Sequence, residues 1–242
     1  MAAPRFTRVS KYVAGDCSTR ETASLTATHF AIGGDYGSTV NVVNTGQLAT
    51  TLTLSAFDER QRPVGQTAKI TVEAGAAMRA SVNELFHIAM IQTFPPLISG
   101  FIRIDVSPPS QRSAMPASIV GTVEIYLQSE GAKRASMLYA MSDTPSTRWI
   151  IPFLRTTGGY FTGFTFISSE KANVKVGMVD ADGSQVGGGN VISTGPLRFA
   201  LLLPAGYPNG YLRFESDTPI YVLGTIGTID GSVLDQVPAI RQ

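Results

Sequence analysis

The stretch DYGSTVNVVN at residues 35–44 decides the fold, because it opens a series of segments that appears twice in the chain. The series continues with SAFDERQRPVG at 55–65, SGFIRIDVS at 99–107 and IVGTVEIY at 119–126. Its counterpart reads GYFTGFTFIS at 159–168, GMVDADGSQVG at 177–187, NGYLRFES at 209–216 and VLGTIGT at 222–228. Repeats of this length indicate two copies of one structural unit.

Apolar and polar side chains alternate within these segments. Val40 and Val42 share one face of STVNVVN, while Leu52, Leu54 and Ala56 share one face of TTLTLSAF. Strands of this kind bury one side and expose Thr, Asn and Ser on the other, as in an antiparallel sandwich. We therefore predict an all-β fold of two tandem Ig-like antiparallel β-sandwich domains with a short N-terminal arm.

The repeat also predicts where the domains begin and end. We expect an arm over residues 1–28, a first sandwich over 29–128, a polar connector over 129–148 and a second sandwich over 149–242. A helical turn is expected within 82–87, with Ser81 or Asn83 as its cap.

Composition excludes several classes of partner. The 242 residues include 19 Lys+Arg and 18 Asp+Glu, a net charge of +1, which gives no general attraction to phosphate backbones. We therefore expect no nucleic-acid partner. The most apolar stretch, residues 88–102, is broken by Pro95, Pro96 and Gly100, so we expect no membrane span.

The repeat serves as a control for catalytic residues. The two histidines, His29 and His87, are the only obvious general bases near neutral pH. His29-Phe30 aligns with Pro152-Phe153 in the second copy, and the segment of His87 aligns with 203–206, neither of which contains a histidine. No G-x-S-x-G motif is present. We expect no enzyme activity and no cofactor.

Asp180 and Asp182 resemble the start of a calcium loop, in which carboxylates two residues apart converge on a cation. The loop ends too early, because Ser184 leads directly into the next strand and no closing acidic ligand follows. Asp and Gly are also the residues that favour tight turns. A hairpin is the preferred interpretation, and a metal site at these two aspartates is the alternative.

One pair of residue types recurs at the same place in both copies. Phe101 and Arg103 in GFIRID match Tyr211 and Arg213 in GYLRFE. If the residues between them point inward, each aromatic ring and its arginine share the outer face of a strand. They are weak candidates for binding a glycan or a protein partner, and the alternative is a set of side chains that simply covers the sheet.

A second candidate surface is a set of aromatic residues on which sugar rings could stack. Its members are Trp149, Tyr160, Phe161, Tyr207 and Tyr211.

The N-terminal segment carries the single cysteine, Cys17, which cannot form a bridge within the chain. Its expected state is a free thiol, with pairing between chains as the alternative. Met1-Ala2-Ala3-Pro4 is interpreted as a start introduced after removal of a signal peptide.

The order HFAIGGDYGSTVNVVNTG, then FDERQRPVG, NELF, SGFIRI and GTVEIY, resembles an Ig-like β-sandwich module of secreted and cell-surface bacterial proteins. The second copy resembles the same module, and the two matches together span about 27–238. The resemblance implies extracellular display, adhesion or scaffolding, with no active site to carry over. The hairpin FDERQRP departs from the module because it lacks the usual glycine.

The leading functional hypothesis is a non-enzymatic extracellular or cell-surface protein with a structural or adhesive role. Its partners would be other copies of itself or a surface glycan, and self-assembly into a fibre or layer would use open strand edges or residues 1–28. The alternative is a carbohydrate-binding module that uses exposed aromatic residues.

Overall fold

A computed structural model describes residues 24–89, 97–107, 118–129, 132–192, 197–203, 206 and 209–242. Most of the predicted arm, including Cys17, lies outside these residues, as does Tyr207.

The described residues form sixteen β-strands and one short helix, which confirms the all-β class. Along the chain they are β1 (Ser24–Ile32), β2 (Tyr36–Asn44), β3 (Thr50–Asp58), β4 (Ala68–Val72), β5 (Ala77–Ser81), α1 (Val82–Leu85), β6 (Ile98–Ser107), β7 (Ile119–Ser129), β8 (Ala132–Ala140), β9 (Ser146–Leu154), β10 (Tyr160–Ser168), β11 (Asn173–Asp180), β12 (Gln185–Ile192), β13 (Leu197–Leu202), β14 (Gly210–Thr228), β15 (Leu234–Val237) and β16 (Ile240–Arg241). We call β1–β8 the first half and β9–β16 the second half. No helix in this part of the chain is long and apolar enough to cross a membrane.

The first half consists of two four-stranded antiparallel sheets. One has the strand order β1-β6-β3-β4, and the other has the order β5-β2-β7-β8. Apolar residues from both sheets meet between them, among them Val40, Val42, Leu52 and Leu54, none of which is exposed. The predicted alternation of these strands is therefore confirmed.

The second half is built around the 19-residue strand β14. Residues 210–216 of β14 pair with β11 and also with β9, whereas residues 220–228 pair with β10. Strands β12 and β13 extend this arrangement beyond β11 and β10, and β15 and β16 pair with β14 and β9. A single strand thus runs through both groups of strands.

The two halves have the same pairing order. The sequence β1-β6-β3-β4 corresponds to β9-β14-β11-β12, and β5-β2-β7-β8 corresponds to β13-β10-β14-β15. The main difference is that β6 and β7 are separate strands, whereas their counterparts are the two ends of β14. The pairing order matches the predicted repeat, while the assignment of each half as an Ig-like domain stays a prediction.

In each half, one side-chain hydroxyl forms two hydrogen bonds with the backbone of a residue seven positions earlier in the chain. The Ser38 hydroxyl donates to the Ala31 carbonyl at 2.7 Å and accepts from the Ala31 N–H at 3.0 Å. The Thr162 hydroxyl bonds the carbonyl and N–H of Arg155 at 2.8 and 2.9 Å. The two residues of each pair are seven positions apart; Ala31 lies in β1, and Arg155 directly follows β9.

The strand register corrects one alignment of the repeat. Gly100 pairs with Phe30 in the first half, and its counterpart Gly210 pairs with Leu154 in the second. The residue equivalent to His29 is therefore Phe153, one position beyond Pro152. The conclusion that the second copy has no histidine there is unchanged.

The predicted connector over 129–148 is wrong, because residues 132–140 form β8 and pair with β7. Met137 and Tyr139 of β8 are buried in the first core. The segment resembles a linker in sequence because Lys133 and Arg134 occupy the exposed part of an edge strand. The N-terminal boundary also moves, since β1 begins at Ser24 and takes the last residues of the expected arm into the sheet.

Helix α1 occupies Val82–Leu85, within the predicted range, and Ser81 is its N-cap residue. The Ser81 hydroxyl bonds the Glu84 carboxylate instead of a backbone N–H of the helix. Val82, Leu85 and the following Phe86 are buried in the first core.

Candidate functional site

The recurring aromatic–arginine pair lies on the outer face of its strand in both halves. Ile102 and Ile104 of β6, and Leu212 and Phe214 of β14, are fully buried, which is the condition for the aromatic residue and the arginine to share the outer face. Phe101 is nevertheless only 7% exposed, because its ring stacks on that of Phe57 in β3 with 5.1 Å between centroids. This ring is covered and offers no free surface to a ligand.

The arginines of the two pairs each bond an acidic residue two positions along the same strand. Arg103 Nε lies 2.8 Å from Asp105 Oδ1, and Arg213 Nε lies 3.7 Å from Glu215 Oε1. Exposed pairs of this kind contribute little to stability, commonly about 0.2–1 kcal/mol. The arrangement agrees with the covering role that the sequence left open. Tyr211 remains partly exposed.

Trp149 is not part of an exposed platform. Only 5% of the residue is exposed, and its indole N–H donates to the carbonyls of Ile220 at 2.9 Å and Ser146 at 3.1 Å. The ring belongs to the second core. Trp149 is therefore not a binding residue for a sugar, because a sugar ring can stack only on an accessible aromatic face.

Asp180 and Asp182 form a hairpin between β11 and β12. The Asp180 N–H donates to the Ser184 carbonyl at 2.9 Å, and Gly183 adopts a φ of 89°. Asp182 accepts the Ser184 N–H at 2.8 Å, and this bond lowers the pKa of the Asp182 carboxyl. Among the described residues, no group of three or more His, Cys, Asp or Glu side chains could hold a metal ion.

The equivalent hairpin of the first half has the same backbone bonds. Asp58 N–H donates to the Arg62 carbonyl at 2.9 Å, and Gln61 takes the left-handed conformation with a φ of 59°. Gln61 thus occupies the position of Gly183, and the missing glycine does not change the turn.

A cleft of about 590 Å³ brings Tyr160 together with its repeat counterpart Tyr36. Phe161 also lines it, so two of the five predicted platform residues meet here. Tyr160 is held by Arg155, whose guanidinium carbon lies 4.1 Å from the ring centroid.

Polar groups from both halves line the same cleft. Its rim includes Asp35, Gln128 and Arg134 from the first half and Asp230 from the second. Hydrogen bonds from the Thr228 hydroxyl and the Ser232 N–H lower the pKa of Asp230 to about 2. The cleft therefore combines aromatic rings with fixed hydrogen-bonding groups, a combination typical of sites that orient polar ligands.

A second cavity, of about 240 Å³, lies between the two halves. Its polar end contains His29 and Glu59 from the first half and Arg198 from β13. The Arg198 side chain is only 1% exposed, whereas that of Glu59 is 57% exposed, and Arg198 Nη1 lies 2.9 Å from Glu59 Oε1. Since the cation is buried, this ion pair has less screening than the surface pairs.

Arg198 makes further contacts with β1. Its Nε donates to the Thr28 carbonyl at 3.3 Å, and its Nη2 donates to His29 Nδ1. Burial and the neighbouring positive charge of Arg198 hold the pKa of His29 well below its usual value. The imidazole is therefore neutral, and because Nδ1 accepts from the guanidinium, the ring hydrogen is on Nε2.

This cluster lacks the arrangement of a general base. The lone pair of His29 Nδ1 is used by Arg198, so it cannot take a proton from a hydroxyl nucleophile. The other histidine, His87, is exposed at the end of α1 and far along the chain from this cavity. The two histidines therefore do not share a site.

Sequence reasoning did not single out Arg198 or Glu59. Arg198 stands in LRFALL, where one charged residue interrupts an apolar strand. A buried arginine requires a partner, so such an interruption is a signal for an internal ion pair. The partner cannot be read from the sequence, because Glu59 lies 139 positions away.

Comparison with known proteins adds little. Neither a family model nor a curated protein matches the chain. Among solved structures, a lectin of Pleurotus ostreatus shares 14% identity over 92% of this chain and 79% of the lectin, with a TM-score of 0.21. The coconut allergen cocosin shares 7% identity over 88% of this chain and 79% of its own, with a TM-score of 0.22. A Bacteroides uniformis beta-glucuronidase 2 shares 12% identity over 86% of this chain and 25% of its own, with a TM-score of 0.17. Similarities at these TM-scores support no argument about fold or function.

Proposed function

We propose that this chain is a non-enzymatic structural or adhesive protein of the cell exterior, made of two tandem Ig-like β-sandwiches, which joins to further copies of itself through the outer edge of β12. The observation that carries the proposal is the composition of that edge. QVGGGNVI, residues 185–192, contains no charged residue, and Val186 is 43% exposed.

Uncharged edge strands are prone to pair with other strands, because their outward backbone N–H and C=O groups form a ready template. Other edge strands of this molecule carry charges that oppose such pairing, namely Lys69 in β4, Arg79 in β5, and Lys133 and Arg134 in β8. By this criterion β12 is the least protected of these four edges.

An apolar groove runs beside β12 and enlarges the surface that a second strand could cover. It has a volume of about 280 Å³ and is lined by Val176, Met178 and Val191 on one side and by Leu201 on the other. Leu201 and its neighbour Leu202 are exposed large apolar residues. An added strand would gain backbone hydrogen bonds and cover apolar area at the same time.

The test introduces charge at this edge. We expect the unchanged chain to form oligomers or filaments as its concentration rises, seen by light scattering and negative-stain microscopy. The double variant V186K/N190K should remain monomeric at the same concentrations, because two like charges would face any pairing strand.

Val120→Lys is the matched control for this test. Val120 is 51% exposed but lies on β7, which has a paired strand on each side. This variant should assemble like the unchanged chain. Monomers of the unchanged chain at every concentration, or equal assembly of V186K/N190K, would overturn the proposal.

A second candidate function is carbohydrate binding in the cleft that contains Tyr36 and Tyr160. The specific observation in its favour is that two equivalent tyrosines meet there with Gln128 and Arg134. Binding on a glycan array should be lost in Tyr160→Ala and retained in Tyr211→Ala, since Tyr211 lies outside the cleft. Absence of binding by the unchanged chain, or equal loss in both variants, would count against this function.

A further inference from the structure

The second cavity, between the two halves, has apolar wall residues and a polar end formed by His29, Glu59 and Arg198. The wall includes Ile125 and Met137 from the first half and Phe164, Leu202 and Leu234 from the second. At about 240 Å³, the cavity is larger than an apolar cavity of roughly 150 Å³ that holds a benzene ring. A chain of about eight carbon atoms matches this space.

The polar end is electrically balanced. Arg198 carries one positive charge and Glu59 one negative charge, and the two are paired at 2.9 Å. His29 is neutral because of its burial and its contact with Arg198. A ligand that brings a net charge would find no unpaired counter-charge here, because the charges of Arg198 and Glu59 already compensate each other.

The same end offers both a hydrogen-bond donor and an acceptor. The ring hydrogen of His29 is on Nε2, since Nδ1 accepts from Arg198. The Glu59 carboxylate keeps a large exposed area and also accepts from the Ser99 hydroxyl at 3.2 Å. A hydroxyl group can accept from the imidazole and donate to the carboxylate at once.

We propose that this cavity is a binding site for an uncharged amphiphile with an aliphatic tail of about eight carbons and a hydroxyl head, the head lying at His29, Glu59 and Arg198. The site adjoins the cleft that contains Tyr160, with which it shares Tyr36, Phe161 and Leu202, and the groove beside β12, with which it shares Phe164 and Leu201. It makes the junction of the two halves a ligand site in addition to a structural contact.

The experiment compares three probes of equal tail length by isothermal titration calorimetry, namely 1-octanol, octanoate and octylamine. The unchanged chain should bind 1-octanol at least about tenfold more tightly than either charged probe, because only the neutral head suits the balanced end. Absence of 1-octanol binding, or equal affinity for all three probes, would overturn the proposal.

Two substitutions test the place of binding. Ala200 lines the cavity but is exposed, so Ala200→Trp should fill the entrance without disturbing the core and abolish 1-octanol binding. Ala200→Ser is the matched control and should bind as the unchanged chain does. Binding that survives in Ala200→Trp, with an unchanged melting temperature, would place the ligand elsewhere and contradict the proposal.

Glu59→Gln tests the charge argument itself. It removes the negative partner and leaves the charge of Arg198 uncompensated. The preference should then invert, with octanoate bound more tightly than 1-octanol. An unchanged preference for the alcohol in this variant would show that the balanced end does not select the head group.

Discussion

Gly100 and Gly210 occupy the places where a strand passes closest to its neighbour. A Cβ atom at Gly100 would lie 1.8 Å from the Phe57 carbonyl oxygen, and one at Gly210 would lie 2.2 Å from the Val179 carbonyl oxygen. Each glycine pairs with the aspartate that opens a hairpin, Asp58 in the first half and Asp180 in the second. The same close approach therefore recurs at equivalent residues.

Gly100→Ala and Gly210→Ala should each lower the free energy of unfolding by about 1–3 kcal/mol, because the backbone must shift to accept the methyl group. Gly189→Ala is the control, since nothing lies within 4 Å of a Cβ at that position. Denaturant unfolding monitored by circular dichroism measures all three. A Gly189→Ala variant as unstable as the other two would contradict the explanation.

The hydroxyl groups of Ser38 and Thr162 give a second prediction. Ser38→Ala and Thr162→Val should each destabilise the fold by about 1–3 kcal/mol, because both leave buried backbone groups of the preceding strand without a partner. Thr162→Ser keeps the hydroxyl and should cost less than Thr162→Val. Equal losses in these two variants would contradict this explanation, because Thr162→Ser retains the hydroxyl that Thr162→Val removes.

At the level of elements, the alternation of apolar and polar residues identifies the buried face of strands that bury one side. Val40 with Val42, and Leu52 with Leu54, are buried as expected. Strand β8 is not recognised from the sequence, because its first residues, including Lys133 and Arg134, are exposed on a sheet edge. Only later residues of the strand, such as Met137, are buried. Edge strands give weak patterns, since solvent reaches more of their side chains.

The placement of Trp149 in β9 leads to a spectroscopic prediction. This residue is the single tryptophan of the chain, and it is buried with its N–H bonded to Ile220. Its fluorescence should therefore be emitted at short wavelength and resist quenching by iodide, and both properties should be lost on unfolding. Strong iodide quenching of the folded protein would contradict the buried position.

At the scale of the whole molecule, polar contacts join the halves around Arg198. Arg198 bonds Glu59 and Thr28, and the Gln61 amide donates to the Ser168 carbonyl at 3.2 Å. Leu223 and Leu234 of the second half also belong to the first core. The repeat predicted two similar units, but a pattern that describes each unit alone contains no information about their contact.

The junction predicts a pH dependence of stability. His29 has a lowered pKa in the folded chain, so the folded state binds fewer protons than the unfolded state once the pH falls below the ordinary value of 6.5. Stability should be complete above this pH and should decrease as the pH falls from about 6.5 toward 5. Thermal unfolding across this range measures the effect.

Substitution of each histidine separates the sources of this dependence. His29→Gln should remove the loss of stability in this range, since a glutamine oxygen can accept from Arg198 without titrating. His87→Asn, at the exposed histidine with a φ of 50°, should leave it unchanged. Persistence of the full dependence in His29→Gln would assign it to other groups.

The candidate sites were predictable to different degrees. Tyr160 was identified from its aromatic character, whereas its meeting with Tyr36 depends on how the halves lie against each other. Phe101 and Trp149 were candidates for the same reason as Tyr160, but both are buried. Aromatic residues occur in protein cores as well as on surfaces, so residue type alone does not distinguish the two positions. The hairpin at Asp182 was predictable, since the turn depends on local sequence alone.

The continuous strand β14 has a mechanical consequence. Residues 210–216 and residues 220–228 pair with different strands of the second half but lie in one continuous strand. Tension on either segment is then transmitted directly to the other. Under a pulling force, the second half should therefore yield as a single unit.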